Sequence, residues 1–318
     1  MVGTRVAPDG YDIVVWKLDE LTTPFVNSST SPSAISHANS DLGTISGSVQ
    51  TQQPSLFAAS GSNSCVLFPG NNSGSPRNFI SGANNTLPQP PFTLSGWMFL
   101  RAFDTTGFTI HPFTKQHTTN IWSGSTFSSI CIENRRYNGS NFANQWDFFV
   151  RTDGSGNGGN ALVATEFCIP EHIWSHVGLT YDGTTVQAFI NGNLVSTGTA
   201  SPTGNVNYGT GPWFFGAIPG GSGNPEECAY SICDVRIANI VRPQSYFQNI
   251  YRQGVLNDAT NISIITTYYK MRAYDLQLVN TPVYWVDTVV NYGNAPASPS
   301  GSGLGPIEIL ESWNLLNI

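Results

Sequence analysis

Twenty acidic residues are spread along this 318-residue chain, and their spacing is a first test for hydrolytic chemistry. Carboxylates at positions i and i+2 of one strand face the same side, where such a pair can serve as nucleophile and general acid. No Asp or Glu stands two residues from another here. Asp19-Glu20 and Glu226-Glu227 are adjacent, which turns them apart on a strand, while Asp9/Asp12 and Glu308/Glu311 lie near the ends. Catalysis by that route is left to carboxylates brought together from distant segments. His172 and His176, with Glu171 beside them, have a spacing that could bind a metal from a helix. On a strand, at about 3.3 Å per residue, they stand about 13 Å apart, too far to share one ion. Cys65, Cys131, Cys168, Cys228 and Cys233 show no CxxC spacing, so reduced, buried thiols are expected rather than zinc ligands or a disulfide scaffold. Cys228 and Cys233, five apart, would need a turn or bulge to pair.

Sugar recognition asks for other groups: rings that pack on C–H faces, and planar polar side chains for hydroxyls. Two regions hold such a mixture. The stretch Gln116 to Gln145 contains Trp122, Glu133, Arg135, Arg136, Tyr137 and Asn141, and the stretch Asn205 to Pro225 contains Tyr208 and Trp213 among glycines. Trp122, Arg135, Tyr137, Asn141, Tyr208 and Trp213 are therefore the candidate ligand-binding residues. A packed loop or a protein interface is the alternative for both regions, because most aromatics in such a chain belong to its core.

The elements that must position these residues are strands. Charged residues make up only 10% of the chain, against roughly 25% in ordinary soluble proteins, so Ser, Thr, Asn and Gly must cover the surface. With 32 Gly and 20 Pro, turns are frequent and long helices disfavoured. Strand-like segments run over 11–18, 65–68, 92–100, 108–113, 145–151, 174–181, 213–218 and 229–237, at a spacing that suits a sandwich. The polar stretch between Leu18 and Cys65 is expected to be loop-rich. Thr185 to Ile190 runs into Asn191-Gly192, a two-residue hairpin turn whose residues accept positive φ. Pro243 to Gln253 is expected to form a short helix capped by Gly254.

Taken in order, these segments resemble the laminin-G-like, concanavalin-A-like lectin/glucanase jelly roll. The resemblance is carried by CVLFPG (Cys65 to Gly70), PFTLSGWMFL, IWSHVGLTYDGTTVQAFINGNLV and YSICDVRIANIVRPQSYFQNIY, and it spans about residues 11–254. It implies an all-β jelly-roll β-sandwich, with His176 inside the sandwich and His172 in the loop before it. It also implies a calcium ion at a loop rim, with Asp41 and Asp234 as the matching ligands. An Asx turn at Asp41 and a pairing of Asp234 with Arg236 are the alternatives; otherwise no cofactor is expected. The family includes carbohydrate-binding modules, adhesive domains, glycoside hydrolases and virion proteins, so the fold does not choose among functions.

Four regions are expected: an N-terminal arm (1–10), the laminin-G-like sandwich (11–254), a β-rich extension (255–293), and a flexible linker with an apolar docking segment (294–318). That last tip either docks on a partner or folds back on its own domain. A net charge of −7 gives no footprint for nucleic acid or anionic lipid, and no stretch approaches the roughly 20 apolar residues that span a bilayer. Met1 to Gly10 hold no apolar core of a secretory signal, so export by that route is not expected. These features favour a non-catalytic virion surface protein, such as a phage capsid decoration, fibre or tail-associated component. Its partners would be other virion proteins, its own copies or a host-surface glycan. An adhesive lectin module of an extracellular or cell-surface protein comes second, and a glycoside hydrolase or lyase of the same fold third.

Overall fold

The computed structural model describes residues 5–53, 55–57, 65–69, 78–82, 89–102, 110–116, 128–135, 145–152, 160–165, 169, 172–200, 203–216 and 229–256. The chain divides into two compact units, 1–257 and 258–318, so the expected regions beyond residue 256 lie outside the described residues. The first unit is mostly strands: β1 Asp12–Trp16, β2 Thr44–Ser46, β3 Gln50–Gln53, β4 Cys65–Pro69, β5 Phe79–Ser81, β6 Phe92–Ala102, β7 Ile110–Gln116 and β8 Ser128–Arg135. Then follow β9 Gln145–Arg151, β10 Asn160–Thr165, β11 Trp174–Tyr181, β12 Thr185–Ile190, β13 Asn193–Thr199, β14 Trp213–Gly216 and β15 Ala229–Ala238. Two helices, α1 His37–Ser40 and α2 Gln244–Leu256, complete it.

These strands form two antiparallel sheets. One has the order β13-β12-β11-β6-β15-β4-β3, with β1 also paired to β15; the other runs β10-β9-β8-β7-β14-β5-β2. Alternation along each strand decides which side chains meet between them. From β6, Phe92, Leu94, Met98 and Leu100 enter the core, as do Ile130 and Ile132 from β8 and Trp146, Phe148 and Val150 from β9. Together they form an all-β sandwich of jelly-roll type.

The intervening β6 and β11 residues face the other way and are covered by α2. Phe247 stacks on Phe189 at 4.0 Å between ring centroids, and Tyr251 stacks on Trp97 at 6.0 Å. His176 lies between Trp97 and Phe247, 2% exposed, and burial pushes its pKa down to about 3. It is a neutral packing residue buried under α2, on the outer face of the sheet rather than between the two sheets as expected, while His172 is exposed in the turn before β11.

Helix α2 runs past its expected end. Gly254 sits inside it because a Cβ there would lie 2.3 Å from the Trp97 ring, so the glycine permits close packing rather than ending the helix. The Asn191-Gly192 turn is as expected, with φ of 52° and 82° and Ile190 opposite Asn193. The polar stretch before Cys65 does more than loop: it supplies α1 and the strands β2 and β3, one for each sheet.

Candidate functional site

The stretch from Gln116 to Gln145 is not one loop. Strand β8 divides it, and its eight residues put the β7–β8 and β8–β9 connections at opposite ends of the sheet, about 23 Å apart. Trp122 belongs to the first connection, and Tyr137 and Asn141 to the second; all three lie outside the described residues. Arg135 ends β8, its backbone opposite Gln145 at the start of β9.

Tyr208 and Trp213 are core residues, not a sugar platform. Trp213 is 0% exposed, edge-on to Trp16 at 5.9 Å and stacked with Phe215 at 6.2 Å, so neither ring face is open to a ligand. Tyr208 is 7% exposed, and burial raises the pKa of its hydroxyl. Beside them the buried Lys115 donates to the carbonyls of Tyr208 and Gly211, and burial lowers its pKa to about 8.

Arg135 marks a particular end of the sandwich. The strand directions start and finish five connections at that end, over 70–78, 103–109, 136–144, 166–173 and 217–228. In sequence, Asn, Ser and Gly are frequent in 70–78, 136–144 and 217–228, with Tyr137 and Phe142 among them, while 103–109 carries Phe103 and Phe108 beside Asp and Thr.

Just inside this end, the side of the seven-stranded sheet turned away from the core carries a polar group beside Phe149. Thr114, Cys131, Glu133 and Asp147 are all buried on it; the Cys131 Sγ lies 3.3 Å from Thr114 Oγ1 and 3.5 Å from Glu133 Oε2. Glu133 stands directly opposite Asp147 across β8 and β9. This is the carboxylate pair that linear spacing missed, since the two residues are 14 apart in sequence and only the register joins them. Directly opposite residues on neighbouring strands have Cβ atoms about 4.5–5.5 Å apart, so the two side chains rise from one side of the sheet. Their exposures of 5% and 1% withdraw both from a sugar chain.

The two carboxylates expected at a calcium rim are engaged elsewhere. Asp234, at φ 49° in a bulge of β15, gives both oxygens to Arg236, with contacts of 2.9 to 3.2 Å. Asp41 accepts the Asn27 backbone N–H at 2.8 Å. Among the described residues, no three His, Cys, Asp or Glu side chains gather as a metal site.

Arg236 also lies 3.7 Å from Asp12, and Arg242 binds Asp12 at 2.8 Å and Asp9 at 2.6 Å. The Arg242 guanidinium holds the Asp9 carboxyl below its ordinary pKa. This network ties the N-terminal arm to β15 and the approach to α2. Its role is structural.

A model of the laminin-G type within the concanavalin A-like lectin/glucanases superfamily matches residues 72–245, more than half of the chain. The chain belongs to that superfamily. Solved structures that it resembles include the botulinum neurotoxin serotype D binding domain, with a TM-score of 0.52 and 12% identity over 78% of this chain and 53% of that one. The serotype C1 binding domain scores 0.52 at 14% identity, and the neurotoxin DC binding domain, solved in complex with SialylT, 0.53 at 13%. Each of these two alignments covers 77% of this chain and 52% of the other. The chain thus spans about half the length of each neurotoxin domain, and at such identities the likeness establishes the fold alone. No curated protein matches the sequence.

Proposed function

We propose that this chain is a non-catalytic glycan-binding module on a virion surface, taking its ligand at the sandwich end that carries Arg135, Tyr137 and Asn141. The observation that supports this most is that five connections start and finish at one end of a lectin-type sandwich, three of them rich in Asn, Ser and Gly. Loops held by a rigid scaffold are where binding residues concentrate. The neurotoxin domains of similar fold are binding domains by name, in keeping with a module that recognises a surface. The sparse charge, 10% of residues, suits a particle surface, with other virion proteins or further copies of the chain as partners. No helix among the described residues is long and apolar enough to cross a membrane.

A glycan array probed with the full chain tests the recognition. Retention of defined glycans, weakened at least tenfold by Arg135→Ala or Tyr137→Ala without loss of fold, is the expected result. An array left blank by the intact chain would refute it. Capsid, portal or tail genes beside the gene are expected on the virion reading. Their absence, with glycan binding intact, would favour a lectin module of a cellular protein at the cell surface.

Glycoside hydrolysis stays the third reading, because the facing Glu133 and Asp147 are buried. Release of reducing sugar from any bound glycan, abolished by Glu133→Gln, would put it first.

A further inference from the structure

Arg101 differs from three other buried or half-buried arginines. Arg5, Arg236 and Arg242 each meet a carboxylate, at 2.7, 2.9 and 2.6 Å. Arg101, half-buried near the end of β6, has neither a hydrogen-bond acceptor nor an ion-pair partner among the described residues, and its Nε is buried without an acceptor. Its guanidinium carbon lies 5.6 Å from the centroid of the Phe99 ring, two residues back on the same face of the strand.

Phe99 in turn contacts two more rings. Trp174, its partner across β6 and β11, is 5.4 Å away, and the exposed His172 is 6.3 Å away, edge-on. His172 is held at φ 61°, a conformation non-glycine residues rarely adopt, with its N–H donating to the Leu100 carbonyl at 2.7 Å. Such outliers collect at ligand sites. The patch therefore combines a guanidinium lacking an acceptor, a half-buried ring at its side and an exposed imidazole. It lies at the sandwich end where β6 leaves and β11 enters.

We infer that Arg101, Phe99 and His172 form a subsite for a carboxylate-bearing sugar, with the buried Trp174 packed behind Phe99. This rests on the glycan-binding reading and names the class of glycan. The guanidinium offers paired N–H donors that match the two oxygens of a carboxylate. The aromatic group offers the apolar surface on which a sugar C–H face packs. The chain's net charge of −7 does not prevent this, because fields from charges more than about 8 Å away are screened at physiological salt.

The test uses the full chain against glycans ending in sialic acid or glucuronic acid, the methyl esters of those acids, and neutral galactose- or glucose-ended counterparts. The acids should bind at least tenfold more tightly than their esters and the neutral sugars. Arg101→Gln should remove that preference and Arg101→Lys restore only part of it, both with an unchanged thermal midpoint. Arg135→Gln forms a separate arm. If it removes the preference while Arg101→Gln leaves it intact, the assignment to this subsite is overturned. If glycans bind with no preference for acids, the subsite fails and the glycan-binding reading stands. If no glycan binds at all, both fall.

Discussion

Asp12 is shared by two guanidiniums, with Arg242 at 2.8 Å and Arg236 at 3.7 Å, and all three side chains are buried. Removing one member of such a network leaves the others charged in a poorly solvating place. Asp12→Ala should therefore destabilise the fold by about 3–5 kcal/mol in urea unfolding, far more than an exposed pair would. Lys115 gives a prediction in pH. Its pKa is about 8 in the fold against the ordinary 10.5, so between those values the unfolded chain holds a proton that the folded chain has lost. Its burial penalty is full below pH 8 and gone above 10.5. The stability of the native chain minus that of Lys115→Met should accordingly rise across that window, by up to about 3 kcal/mol. A flat difference would show that the ammonium is better solvated than its surroundings suggest. At this scale the sequence was only partly readable. Asp234 with Arg236, two residues apart, was a visible alternative, but nothing in linear order joins Asp12 to Arg242, or Glu133 to Asp147. Trp213 misled for a related reason: a Trp among glycines reads as a platform until Trp16 is found against it.

Helix α2 shows how much an element owes to what it rests on. Its start was legible from Pro243, while its end was not, because Gly254 reads as a stop signal until Trp97 is placed beneath it. Gly254→Ala gains about 1 kcal/mol in helix propensity but drives a methyl into the Trp97 ring, at a cost of about 1–3 kcal/mol. The net effect should be a lower thermal midpoint. Strand β12 and its turn were legible because Asn191-Gly192 imposes a local geometry. Strands β2 and β3 were hidden because their residues, Thr44 to Ser46 and Gln50 to Gln53, are polar or half-exposed and owe their form to the strands they pair with. The grouping of connections at the Arg135 end was equally hidden, since it depends on strand direction.

Across the whole molecule, alternation and the ordered motifs from Cys65 onward were enough for the sandwich, because a sheet's two faces are written in every second residue. The end proposed to bind was not, because the strands that meet there come from five separate places in the chain. That predicts a division of effects: substitutions in these connections should change glycan retention on the array with little change in unfolding midpoint, and core substitutions such as Ile132→Ala should do the reverse, costing about 2–5 kcal/mol. The position of β15 has a consequence for how the molecule comes into being. It lies beside β6 on one side and β4 on the other, with β1 also paired to it, yet it is the last strand of the first unit to be made. Strands β6 and β11 to β13 can associate as they emerge, but β1, β3 and β4 have no seam to the rest of their sheet until residue 238 is free. A nascent chain stopped before residue 229 should stay open to protease throughout, and refolding of the complete chain should be slow, on the order of milliseconds to seconds, as expected where distant segments must meet. The strand that closes the sheet therefore acts as a timer, delaying the formation of any binding surface until nearly the whole first unit has been translated.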